Sequence, residues 1–146
     1  MNLKQDTRGY TVLEILVVIT MIGILSAVFL ANQKGKEDSA KLHTLAADNA
    51  EIVKAANAWR ENQGSALFTG ISAATLVSAG LYSTTTNCYG GAITVGAANN
   101  DRAITITQGG ITTMAVADNL VTLLTARGAT GAAKSGSGPY SVAATY

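Results

Sequence analysis

Residues 12–31, VLEILVVITMIGILSAVFLA, form an apolar run interrupted by a single charge, Glu14. Twenty helical residues reach about 30 Å, the thickness of a bilayer's hydrocarbon core. No proline interrupts residues 10–62. Beyond the run the pattern changes. Leu42, Leu45, Ile52, Ala56 and Trp59 recur at steps of three, four and seven and form one apolar stripe. Lys41, Asp48, Glu51, Lys54, Arg60 and Glu61 mostly lie off that stripe. The reading is one helix over residues 10–62, apolar all round in its first half and amphipathic in its second. Gly64 is placed to close it. Such a helix, about 80 Å long, exceeds what a domain of this size needs. Lys4 and Arg8 precede the run, which sets the amino terminus in the cytoplasm and the remainder across the membrane. Lys34 and Lys36 on the far side run against that bias.

The rest of the chain reads as α+β. Ser72–Ala79 is a short helix ended by Gly80. Ala92–Val95 and Arg102–Thr107 are strands joined by the turn-rich GAANND, which makes a hairpin. Thr112 is expected to cap a helix over Thr113–Arg127 whose apolar face is Met114, Ala117, Leu120, Val121 and Leu124, with Gly128 after it. The Gly/Ala/Ser-rich stretch Gly128–Gly138 reads as a loop, and Tyr140–Tyr146 as a final strand. The fold class is α+β: a long N-terminal helix packed by its second half on a small antiparallel sheet.

The most informative segment is RGYTVLEILVVITMIGIL, residues 8–25. A secretory signal peptide is cut after its apolar run, whereas here the small residue, Gly9, precedes it. An unpaired carboxylate in hydrocarbon costs several kcal/mol, so Glu14 asks for a partner. With Gly9, then Tyr10, then Glu14 as the fifth residue after the glycine, and the apolar run to Ala31, the segment resembles the class III signal of type IV pilins and pseudopilins. That resemblance implies cleavage by a prepilin peptidase between Gly9 and Tyr10 and N-methylation of Tyr10. It implies an inner-membrane stage, single-pass with the amino terminus cytoplasmic, dependent on an inner-membrane assembly platform. It implies, finally, a homopolymeric helical filament that becomes extracellular. The expected organisation is a leader over 1–9, a membrane and filament-core helix over 10–33, and a globular domain over 34–146. Cleavage takes two of the ten basic and one of the nine acidic side chains and creates a cationic amino terminus. In a staggered stack, Glu14 of one subunit can meet the amino terminus of another, which sets register more than stability.

The globular half, through NCYGGAITV (87–95) and AITIT with GGIT (103–112), also resembles type IVb pilins. Three features depart from that branch. The nine-residue leader is short, Tyr10 stands where Phe or Met is usual, and one cysteine, Cys88, excludes the C-terminal disulfide. Val116 falls near where one of its cysteines is expected. No proline kinks the helix near Ala31, where many type IVa pilins carry one, and Gly35 is the remaining weak point.

Other classes fit less well. Lys+Arg 10 against Asp+Glu 9 predicts no direct nucleic-acid binding. One cysteine and one histidine, His43, leave no metal cluster, and neither a nucleophile–base pair nor a cofactor fingerprint is visible, so the expectation is no enzyme and no cofactor. His43 is read as solvated or packed, Cys88 as a buried or inert thiol in a loop, and Trp59 as a core anchor. Gly90-Gly91 and Gly109-Gly110 read as turns, since neither has phosphate-loop context. The leading reading is a pilus subunit serving adhesion, motility, DNA uptake or conjugative contact. The alternatives are a type II secretion pseudopilin or minor pilin, and a monomeric membrane-anchored binding module that keeps residues 1–9.

Overall fold

The structure, a computed structural model, describes residues 11–146. Its elements run α1 (Val12–Asn62), α2 (Ala73–Ser78), β1 (Ile93–Ala98), β2 (Ala103–Ile111), α3 (Met114–Ala126), β3 (Gly131–Ser135) and β4 (Tyr140–Thr145). The described residues fall into two units, one ending at Glu37 and the other comprising Asp38–Tyr146. The first consists of the head of α1, and every described residue in it is exposed, Val12 by 83%.

In the second unit the four strands form one antiparallel sheet in the order β1-β2-β4-β3. Period-two alternation gives the sheet one buried face, carrying Val95, Ile104, Ile106, Val142 and Ala144, and one threonine-rich face. On the threonine face Thr105 and Thr145 hydrogen-bond across strands at 3.1 Å. Two clusters fill the buried side. Ile52, Ala55 and Ala56 of α1 meet Phe68, Leu76, Tyr82, Ile93 and Ile106. Leu45 and Ala46, two turns earlier, meet Leu120 and Leu124 of α3 with Ile111 and Val142. The amphipathic half of α1 thus supplies the core that the sheet needs. Trp59 is half-buried against the first cluster, as an anchor there should be.

All three helices end the same way. At α1, the Gly64 amide donates to the Glu61 carbonyl and the Ser65 amide to that of Arg60, the two bonds of a Schellman closure. Gly64 has φ +62°, which glycine adopts without the cost a Cβ brings. Gly80 and Gly128 repeat the pattern after α2 and α3. Helix α2 is also closed at its start by a reciprocal pair between Ser72 and Thr75.

Several expectations are corrected. Both hairpin strands are longer than their sequence suggested, because Gly96–Ala98 joins β1 rather than the turn and β2 runs on through Gln108–Ile111. The turn is instead carried by Asn99, Asn100 and Asp101, all at positive φ. Helix α3 is capped by Thr113, not Thr112, and without a side-chain bond. Met114 is 54% exposed, and Val116 takes the buried position instead. The stretch read as a loop contains β3, whose Gly/Ala sequence has low intrinsic β preference and is held by pairing with β4.

Gly90-Gly91 closes a turn as expected, the Gly90 amide donating to the Asn87 carbonyl at 2.9 Å, but the second glycine pair does not. Gly109 and Gly110 lie inside β2 at a bulge, where three steps from Gln108 to Ile111 oppose two from Val142 to Tyr140. The extra residue returns Ile111 to the buried face. Gly91 crosses this bulge so closely that a Cβ on it would sit 1.9 Å from the Gly109 carbonyl oxygen.

Candidate functional site at the head of the long helix

Thr11 and Glu14 close the amino-terminal end of α1. The Thr11 amide donates to Glu14 Oε2 at 2.9 Å, and the Thr11 hydroxyl donates to the same oxygen at 3.1 Å. In return the Glu14 amide donates to Thr11 Oγ1 at 3.3 Å. The Ile15 amide makes the first helical bond to the Thr11 carbonyl. Thr11 is therefore the N-cap and Glu14 the third helical residue, the reciprocal arrangement that satisfies two otherwise orphaned amides. A carboxylate in the first turn is also favoured by the helix dipole.

This site sits at the end of an apolar surface. Val12 to Leu30 present large exposed aliphatic side chains on all sides, and α1 is one helix long and apolar enough to cross a membrane. An exposed apolar surface of this extent marks contact with lipid or protein. Within it, the two donors from Thr11 offset part of the cost that an isolated carboxylate would carry. Gly9 and Tyr10 lie outside the described residues. Sequence reasoning singled out Glu14 and took Thr11 only as part of the surrounding motif, although T-x-x-E before an apolar run is the signature of such a cap.

The remaining sequence-selected residues are scattered. His43 is exposed on α1. Cys88 is exposed rather than buried, and its thiol donates to the Lys41 carbonyl at 3.7 Å. Burial first and Asp48 second push that thiol up, against its backbone hydrogen bond and Lys41, so it stays protonated at neutral pH and is a poor nucleophile. Asp101 accepts from the Thr69 hydroxyl at 2.7 Å and shapes the hairpin turn. Among the described residues no group of three His, Cys, Asp or Glu side chains stands close enough to hold a metal ion.

A buried polar chain was not foreseen. Asn49 on α1 accepts from Gln108 Nε2 at 3.0 Å, and Gln108 accepts from Asn87 Nδ2 at 3.1 Å. Asn87 Nδ2 also donates to the Gly109 carbonyl, while Asn87 Oδ1 accepts from the amides of Tyr89 and Gly91. Asn87 thereby clamps the loop before β1 onto the glycine bulge. Asn49, Asn87 and Gln108 are remote from one another in sequence, so no local motif announces the chain that joins them.

Compared with known proteins, the chain is 40% identical over 45 residues to the type II secretion system core protein G of Klebsiella michiganensis. That match covers 31% of this chain and 32% of the relative. The chain thus matches about a third of the length of that curated relative. No family profile and no solved structure matches. The architecture, a long N-terminal helix followed by a small four-stranded antiparallel sheet, is consistent with a pilin fold.

Proposed function

We propose that this chain is a pilin-like subunit that is held in a membrane by the head of α1 and then polymerises into a helical filament. The observation that carries this reading is Glu14: a carboxylate in the first turn of an apolar, wholly exposed helix whose other half builds a globular core. The leader spans residues 1–9, the filament-core helix 10–33 and the globular part 34–146. Cleavage falls between Gly9 and Tyr10, and Tyr10 is then N-methylated. Glu14 pairs with the amino terminus of a neighbouring subunit and sets the stagger. The partners are the prepilin peptidase, the inner-membrane assembly platform and further copies of the chain. The leading form is a type IV pilus subunit exposed outside the cell. The likeness to a type II secretion core protein favours a second form, a pseudopilin whose polymer stays in the cell envelope.

Shearing cells and determining the N-terminal sequence and intact mass of the released protein tests both. Abundant protein starting at methylated Tyr10 in the sheared fraction supports the pilus. The same chain found only with membranes supports the pseudopilin. A chain still starting at Met1, with no polymer, overturns the filament reading. Glu14→Ala should insert into the membrane normally yet yield little filament, because the buried amino terminus of the neighbour loses its counter-charge. Normal filament yield from that variant removes the role given to Glu14.

A further inference from the structure

The two flanks of the amphipathic half of α1 differ in the sign of their charge. On one flank lie Asp48, half-buried, and Glu51, exposed, facing Tyr82 and Cys88 of the segment before β1. Burial first, and then the neighbouring Glu51, hold the Asp48 carboxyl above its ordinary range. On the other flank a groove of about 210 Å³ runs between α1, the end of α3 and the end of β4. It is lined by Ala46, Ala50, Val53, Lys54, Arg127 and Tyr146. Its α1 wall is Ala46, Ala50 and Val53, whose small or short side chains leave room, while Lys54 and Arg127 are exposed at its rim. Among the described residues none of Asp48, Glu51, Lys54 and Arg127 forms an ion pair.

From this geometry we infer a subunit–subunit contact: the groove at Ala50 and Arg127 receives the Asp48–Glu51 flank of a second copy of this chain. This rests on the filament reading. A helical polymer is made by a heterologous contact, in which one face of each subunit meets a different face of the next. Two such faces, complementary in charge, lie here on one chain whose overall charge is only +1, so attraction between copies must come from local complementarity rather than net charge. The second copy is favoured over a small anion because the groove is mainly apolar with cations at its edge, the composition of a protein contact.

Cys88 makes the contact testable, because it lies on the acidic flank and is the chain's one cysteine. Ala50→Cys places a second thiol in the groove, on the opposite flank of the same helix. Mild oxidation of sheared Ala50→Cys filaments should give a ladder of disulfide-linked multimers through Cys88. The parent and the Ala50→Cys/Cys88→Ser variant should give none. Charge provides an independent arm. Arg127→Glu should lower sheared filament about tenfold or more, and adding Glu51→Arg should restore it. Both side chains are exposed, and the membrane level of each variant checks that it folds. Filaments that assemble without the ladder, and that tolerate Arg127→Glu, overturn this contact and leave the filament reading standing. Absence of any polymer from the parent chain overturns both.

Discussion

At the scale of the residue, two groups control very different parts of the molecule. Thr11 gives the Glu14 carboxylate two donors and takes one in return, so Thr11→Ala should cost about 0.5–2 kcal/mol at the helix start. Hydrogen exchange on the full chain in detergent should then show the Glu14 amide exchanging roughly two- to thirtyfold faster, with Thr11→Ser close to the parent. Tyr82 is the second group. Its hydroxyl is pushed up to about 12 by burial, then by Asp48 and Glu51. The folded value lies above the ordinary 10.0, so the folded chain keeps a proton that the unfolded chain has lost. That contribution is complete below pH 10 and disappears as pH rises through 12. Tyr82→Phe should therefore flatten the fall in Tm over this window, and an unchanged slope would contradict the assignment. Glu14 was legible because a lone carboxylate in an apolar run is anomalous on its face. Asn49, Gln108 and Asn87 were not, because each looks like an ordinary surface amide until the fold brings them together.

At the scale of the element, the legible features were those with local chemistry. Fifty residues without proline announced α1, and Gly64, Gly80 and Gly128 marked helix ends where the structure has them. Strand β3 was illegible because Ala132 and Ala133 carry little β preference, and β4 supplies what the sequence lacks. Met114 was misplaced because the buried stripe of α3 runs through Val116, Ala117, Leu120 and Leu124, and Met114, at the first position of the helix, lies off it. The glycine crossing offers a sharp check on the described packing. In Gly91→Ala the new methyl group meets the backbone of β2, so the loss should reach several kcal/mol and a clearly lower Tm for the detergent-solubilised chain. Gly35→Ala, helical with nothing within 4 Å, should instead leave stability unchanged or raise it by up to about 1 kcal/mol. Equal effects from the two would show that the bulge and loop are not in contact.

At the scale of the whole molecule, the architecture followed from one contrast, a helix apolar all round that turns amphipathic near residue 40. The first part is left for lipid or other helices, and the second is buried against the sheet and α3. In the proposed membrane stage the basic residues before the run hold the amino terminus in the cytoplasm. Protease added to spheroplasts should then digest the chain beyond Gly64, while inside-out vesicles should protect it. Protection in the reverse sense would invert the proposed topology. The Asn87 clamp has a further consequence. It fastens the loop before β1 to the glycine bulge with hydrogen bonds and backbone contact alone, and the chain's single thiol takes no part in it. If the chain matures in the cell envelope as proposed, it therefore asks nothing of the oxidative folding catalysts there. Strains lacking them should accumulate it at normal levels, and dithiothreitol should leave its surface intact.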